Sequence, residues 1–328
     1  MSFKSFDLSH DVASVVSSIN EVVSLSSSIY AIEANIKKFS NIASASAGSN
    51  LGGYWQSIYD SSPTSSFSTA LVDLTFGYAT GSAYNLAITV SSSQNEKIKV
   101  YRQMASALLG SPDSIFSING SNAPECFFLM VKRNIQKDEI KKGATSLVLN
   151  SAATQVTASD DGAVTAFKQT VGGDYAPLKS GSTELGQVWY NAGVIVLNAS
   201  TAWTAATIWS GTKTLMNLES SGSINNLVDG LRNHIEKIDL HNQTNLYSSI
   251  YFCRATNSEF NYSSNPTFVD ANKRIRVTSG SNILQTRTFV TTIGLYDAND
   301  NLLAVGKVNK PITKSPDNES IFRLRLDY

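Results

Sequence analysis

The residues able to do chemistry in this chain are few, and their spacing suits little of it. There are three histidines, His10, His234 and His241. On one continuous helix His234 and His241 would share a face, with Glu236 and Asp239 nearby. A helical zinc pair instead uses positions i and i+4, so the two read as solvated surface. Cys126 opens the apolar run Cys126-Phe127-Phe128-Leu129, and Cys253 closes Tyr251-Phe252-Cys253. Both read as buried free thiols of a reducing compartment, with a disulfide between them as the alternative. Neither belongs to a C-x-x-C, and a nucleophilic cysteine needs an exposed, electropositive setting. Asp160-Asp161-Gly162 and the cluster from Asp297 to Asp300 hold carboxylates that would suit calcium. Neither follows the twelve-residue calcium loop, and both read as turns. The run Lys132-Arg133, Lys137-Asp138-Glu139, Lys141-Lys142 mixes signs and reads as a solvated turn. No serine sits in a G-x-S-x-G elbow, and no Walker A or G-x-G-x-x-G follows a strand. The expectation is a chain that is not an enzyme and takes no cofactor, metal or small-molecule substrate.

Composition points the same way. The 26 lysines and arginines balance 26 acidic residues, and charged residues make up 16% of the chain. About 25% is usual for a soluble domain. Serine, threonine and asparagine stand in for charge, which suits a chain packed against others. A nucleic-acid partner would call for a basic stripe, and none is present. Met1-Ser2-Phe3-Lys4-Ser5-Phe6-Asp7 lacks the apolar core of a signal peptide, and no run is apolar for the length of a membrane span. The chain is expected to be made in a cytoplasm and to stay soluble.

The elements that must position these residues are read from periodicity. The 328 residues suffice for two or three domains. Between residues 9 and 43, Val15, Val22, Ile29 and Ile36 recur every seventh position, with Leu25, Ile32 and Phe39 three later and Ser18 as the polar exception. This a/d heptad predicts a long helix, capped by Ser9 with Asp11 in its first turn. Val12, Val16, Ile19 and Val23 widen the stripe. Its partner is either this protein's own core or another chain, and the terminal place of so long a heptad favours another chain. The seven heptad residues are therefore the candidate assembly helix.

Residues 46–68, rich in Ser and Gly, read as a linker, docked by the aromatics of Tyr54-Trp55-Gln56-Ser57-Ile58-Tyr59. A mixed α+β body follows over 69–245. It holds a helix from Asn95 to Leu109 stopped by Gly110, strands at Cys126–Lys132 and Ser146–Asn150, and a hairpin across Gly186–Asn198. Residues 151–182 read as an exposed insertion. Leu227, Leu231, Ile235 and Ile238 predict a helix over Leu227–Leu240. Residues 246–328 read as an antiparallel β region. Its last strand alternates Phe322, Leu324, Leu326 and Tyr328 with Arg323, Arg325 and Asp327. The expected class is α+β: a long N-terminal heptad helix, a mixed middle and a β-rich C-terminal domain.

Before that last strand, Phe289-Val290-Thr291-Thr292-Ile293-Gly294-Leu295-Tyr296-Asp297 leads through Ala298-Asn299-Asp300-Asn301 to Leu302-Leu303-Ala304-Val305-Gly306-Lys307. It is a hairpin in turn chemistry, because Asn and Asp tolerate left-handed backbone and bond their neighbours. This stretch, together with Tyr251 to Pro266, resembles virion structural proteins of large contractile-tailed bacteriophages. Phe127 to Leu149 and Gly186 to Leu197 are similar to the same set, so the resemblance spans about 69–328. It implies a structural subunit of the particle, tail baseplate (wedge) first and neck or tail terminator second. Its partners would be other tail proteins and copies of itself. No catalytic or ligand residue comes with the resemblance. A carbohydrate-binding, receptor-recognising protein is a further alternative, motivated by Trp189, Tyr190, Trp203 and Trp209.

Overall fold

The computed structural model describes residues 4–26, 32–33, 36–37, 42–44, 54–59, 66–79, 92–151, 154–201, 223–276 and 287–328. The chain divides into two compact units, one of residues 1–17 with 245–328 and one of residues 18–244. The expected α+β class with a long N-terminal helix is overturned: the described residues are mostly antiparallel strand. Val12–Ser26 is a single strand, β1. The local reason is composition. Valine and isoleucine lose side-chain freedom in a helix, and serine competes there for backbone hydrogen bonds. In a strand Val15 and Val22 point to opposite faces, so no heptad seam exists. Two short pairs follow, β2 (Ile32–Glu33) with β3 (Ile36–Lys37), and β4 (Ile42–Ser44) with β5 (Gln56–Tyr59). Ile29 and Phe39 lie outside the described residues.

The unit of residues 18–244 continues with β6 (Ala70–Tyr78), α1 (Ser92–Leu109), β7 (Phe116–Ile118), β8 (Ser121–Ala123) and β9 (Glu125–Val131). Then come α2 (Arg133–Gln136), β10 (Glu139–Ile140), β11 (Ser146–Ser151), β12 (Thr154–Ser159), β13 (Lys168–Thr170) and β14 (Gly173–Ser180). It closes with β15 (Thr183–Trp189), β16 (Val194–Asn198), α3 (Ile224–His234) and the start of β17 (Ile235–Ala255). Sheet neighbours run β17-β11-β12-β14-β15-β16-β9-β6-β5-β4, with β1 on the other edge of β17. The helix expected to reach Leu240 stops at His234, and Ile235 and Ile238 are buried on β17 instead. Residues 151–182, expected as an exposed insertion, supply three strands, and Ala158, Ala176 and Leu178 are wholly buried. Their small and polar residues hid strands that bury only alternate positions.

The core of this unit is aromatic. Phe116 lies edge-on to Tyr101 at 5.4 Å and to Trp189 at 5.5 Å, and Trp189 stacks on Tyr175 at 4.7 Å. Tyr101 donates its hydroxyl to the Ala123 carbonyl at 2.7 Å and accepts from the Phe116 amide at 3.1 Å, so the ring is buried with its polar end satisfied. Helix α1 ends as expected at Gly110, whose φ of 86° is a left-handed cap. Its approach to β6 depends on Gly77, where a Cβ would stand 2.7 Å from the Tyr101 backbone nitrogen and 2.9 Å from the Lys97 carbonyl oxygen.

Asp160, taken from sequence as part of a turn, is nearly inaccessible. It accepts from the Thr145 amide at 2.8 Å, the Gly143 amide at 2.9 Å and the Tyr190 hydroxyl at 2.8 Å. Burial nonetheless raises its carboxyl pKa against these donors.

The unit of residues 1–17 and 245–328 contains the rest of β17, then β18 (Thr288–Tyr296), β19 (Leu302–Lys314) and β20 (Ser320–Asp327). Strand β20 pairs antiparallel with β17 from Ser248↔Asp327 to Ala255↔Ser320. As the alternation predicts, Phe322, Leu324 and Leu326 are half-buried, with Arg323 and Arg325 exposed between them. Strands β18 and β19 form the expected hairpin.

Gly77→Ala tests the helix–sheet contact. Because the added methyl meets backbone rather than a yielding side chain, it should destabilise by about 1–3 kcal/mol, the usual cost of overpacking. Urea unfolding measures this, and an unchanged midpoint would contradict the close approach.

Candidate assembly surfaces

The structure disperses the residues that could do chemistry. His234 is buried at the end of α3, while His241 lies on β17, so they share no helix. His10 sits in the turn before β1, where its ring pairs with Asp7 at 2.8 Å. That turn is organised by Asp7, which accepts from the Ser9 amide and hydroxyl; Ser9 caps no helix. Among the described residues no three His, Cys, Asp or Glu side chains gather as a metal site would require. Both cysteines are free, and burial pushes the thiols of Cys126 and Cys253 upward, away from the thiolate. Among the described residues no helix is long and apolar enough to cross a membrane.

Part of the charged run at 132–142 is spent on pairs within its own unit. Lys132 bonds Asp73, which also accepts from Ser57. Lys142 pairs with Asp174 at 2.8 Å and lies 4.7 Å above the Phe167 ring. Glu139 accepts from Gln243 at 2.9 Å. A cleft of about 210 Å³ lies here, lined by Glu139, Lys141, Lys142, Val164 and Gln243. It is smaller than the ~300–1,000 Å³ of ordinary ligand sites. Trp189 and Tyr190, which motivated the carbohydrate-binding alternative, are wholly buried. Trp203 and Trp209 lie outside the described residues.

What the described surface offers instead is exposed apolar strand. In the unit of residues 1–17 and 245–328 it centres on the β18–β19 hairpin. Its turn is closed by Asp297, which accepts from the Asn299 amide at 2.8 Å, the Asn301 amide at 2.7 Å and the Asn301 carboxamide at 2.9 Å. Asp300 supplies the left-handed residue at φ 62°. Beyond this turn, Leu302 is 52%, Leu303 68% and Val305 50% exposed. On the hairpin's other side Gly306 faces Leu324, whose Cδ1 would be 2.7 Å from an added Cβ. The bare glycine thus lets the half-buried β20 residues pack under β19, leaving Leu303 and Val305 outward. Phe289 and Ile321 are exposed in the same unit.

The candidate assembly residues of the N-terminus stand as follows. Val15 and Val22 are exposed on β1, and Leu25 packs partly against the core. Ile32 lies in β2 and Ile36 in β3. Strand β1 is held to β17 in antiparallel sense, since Asp11 meets Phe252, Glu21 meets Asn242 and Ser24 meets Asp239. Sequence reasoning missed the hairpin-tip leucines as surface, although an apolar pair directly after an Asp-Asn turn is a detectable signal.

Glu259 ties the first residues of this unit to the turn after β17. It bonds the Lys4 ammonium at 2.9 Å and accepts from the Thr256 amide at 3.0 Å. These hydrogen bonds, the lysine's first, hold its carboxyl down from 4.5 to about 2. A depressed carboxylate contributes stability that is complete above its unfolded value. That stability is lost as pH falls from about 4.5 through about 2. Lys4→Ala should move the Glu259 midpoint up toward the ordinary carboxylate range in an NMR titration. A midpoint that stays near 2 would show that Lys4 is not the main cause.

The chain matches no family model, no curated protein and no solved structure.

Proposed function

We propose that this chain is a non-enzymatic structural subunit of a bacteriophage virion, seated in the tail and holding its neighbours in register. The observation that carries the reading is the exposed apolar strand surface of the β18–β19 hairpin, presented by a turn that Asp297 closes with three hydrogen bonds. A contiguous exposed apolar patch, unlike single exposed residues, marks an interaction site, and Leu302, Leu303 and Val305 are exposed close together on one strand. The low charge fraction of 16% fits surfaces that end up covered. The resemblance of the same hairpin, and of the segment from Tyr251 to Pro266, to tail-phage virion proteins supplies the setting. It also favours the baseplate, with the neck or tail terminator second. A helical bundle between subunits is no part of this reading, since Val12–Ser26 is a strand. The partners are other tail proteins and copies of the chain, and the place of action is the particle.

Mass spectrometry of purified virions, with immunogold labelling to find the place, tests the reading. The chain should be a stoichiometric component at the tail end. Its absence from washed particles would end the proposal. A Leu303→Asp, Val305→Asp double variant should keep its thermal transition while its incorporation into particles falls at least about tenfold, as loss of an interface centre would cause. Normal incorporation would move the interface elsewhere.

A further inference from the structure

The residue 18–244 unit contains the second half of β1, Ser18–Ser26, and among the described residues this strand is bonded on one edge alone, to β17. The Glu21 amide is spent toward β17, on the Asn242 side chain at 3.0 Å. In an antiparallel strand, successive residues turn their N–H and C=O to opposite edges. The backbone groups of Ser18, Asn20, Val22 and Ser24 therefore face away from β17. Such an edge is a template for another strand, and solitary proteins usually guard it with lysine, proline, a bulge or an inward charge. Ser18–Ser26 holds no Lys, Arg, Pro or Gly. Its one charge, Glu21, is tied back to its own sheet by the Asn242 carboxamide at 3.1 Å. Ile19 and Val22 are 56% and 69% exposed.

We propose that this edge pairs with the same edge of a second copy of the chain, antiparallel about a twofold axis centred on Val22. The self-pairing rests on the assembly reading for its purpose but on separate residues for its geometry. The register follows from the strand itself. With Val22 opposite Val22 of the second copy, Asn20 faces Ser24, Ser18 faces Ser26 and Ile19 faces Leu25. Residues whose backbone groups point outward thus meet residues that also point outward. Val22 meets Val22, Ile19 meets Leu25 and Asn20 meets Ser24, and the one mismatch sets Glu21, held by Asn242, opposite Val23. Centring the axis on Asn20 instead would set Ile19 against Glu21 and Ser18 against Val22. A contact of nine residues per strand is smaller than a standard interface of roughly 1,600 Å². The pair should accordingly be weak alone and gain from other contacts in a particle.

Sedimentation of the purified full-length chain over a wide concentration range tests this, with Val22→Lys and Val22→Glu as variants. Val22 is exposed, so both should keep the parent's circular dichroism and melting transition. The parent should show a reversible monomer–dimer equilibrium. Each variant alone should weaken it at least about tenfold, because like charges then stand directly opposite. An equal mixture of the two should recover the dimer. A parent that stays monomeric at millimolar concentration would overturn the second-copy proposal while leaving the virion reading to its own particle test. Dimers persisting in either variant alone, or a mixture that stays monomeric, would overturn the register centred on Val22.

Discussion

The fold depends on one long strand. Strand β17 covers 21 residues; it pairs with β11 and β10 in the unit of residues 18–244 and with β20 in the unit of residues 1–17 and 245–328. Its other edge is taken by β1. Buried N–H and C=O groups must be paired, so a strand of this length in the interior of a sheet requires strands on both sides. That requirement decides the fate of the N-terminus. A serine-rich amphipathic segment makes a marginal helix by itself. As a strand it satisfies one edge of β17 and rests Val23 and Leu25 on the core. The cost is an exposed outer edge, and the assembly reading takes that edge as a means of contact.

The contrast between what could be read from sequence and what could not is one of range. The hairpin at Asp297–Asn301 was legible because its determinants lie within five residues: Asp and Asn side chains bonding adjacent amides, and one left-handed residue. Helix α1, with its stop at Gly110, was legible for the same reason, as was the alternation of β20. The first part of the heptad, Val15 to Leu25, is a strand because its partner lies over two hundred residues away, as the Glu21–Asn242 bonds show. Local periodicity cannot weigh a partner at that distance. Residues 151–182 failed differently. Strands there bury alanines at alternate places, and alanine carries little hydrophobic signal.

Two buried charged residues, Asp160 and Lys314, hold structure. Asp160 gathers two backbone amides and the Tyr190 hydroxyl, fixing the turn before β11 to the end of β15. Lys314, inaccessible to solvent, is satisfied by the Asn261 carboxamide oxygen and the Ser315 carbonyl, each at 2.9 Å, and bonds Asn257 as well. Such buried polar groups are tolerable only when every donor is met. The Lys314 bonds tie the end of β19 to the segment after β17. Rigid presentation is what a subunit that registers its neighbours needs, since ordering on contact would weaken each interface.

Amide hydrogen exchange across Val12–Ser26 in the isolated chain tests the central claim most directly. A strand bonded on one edge protects alternate amides, those facing β17, and leaves the intervening ones fast to exchange. The account predicts that two-residue alternation. Uniform protection through the segment, the mark of a continuous helix, would contradict it.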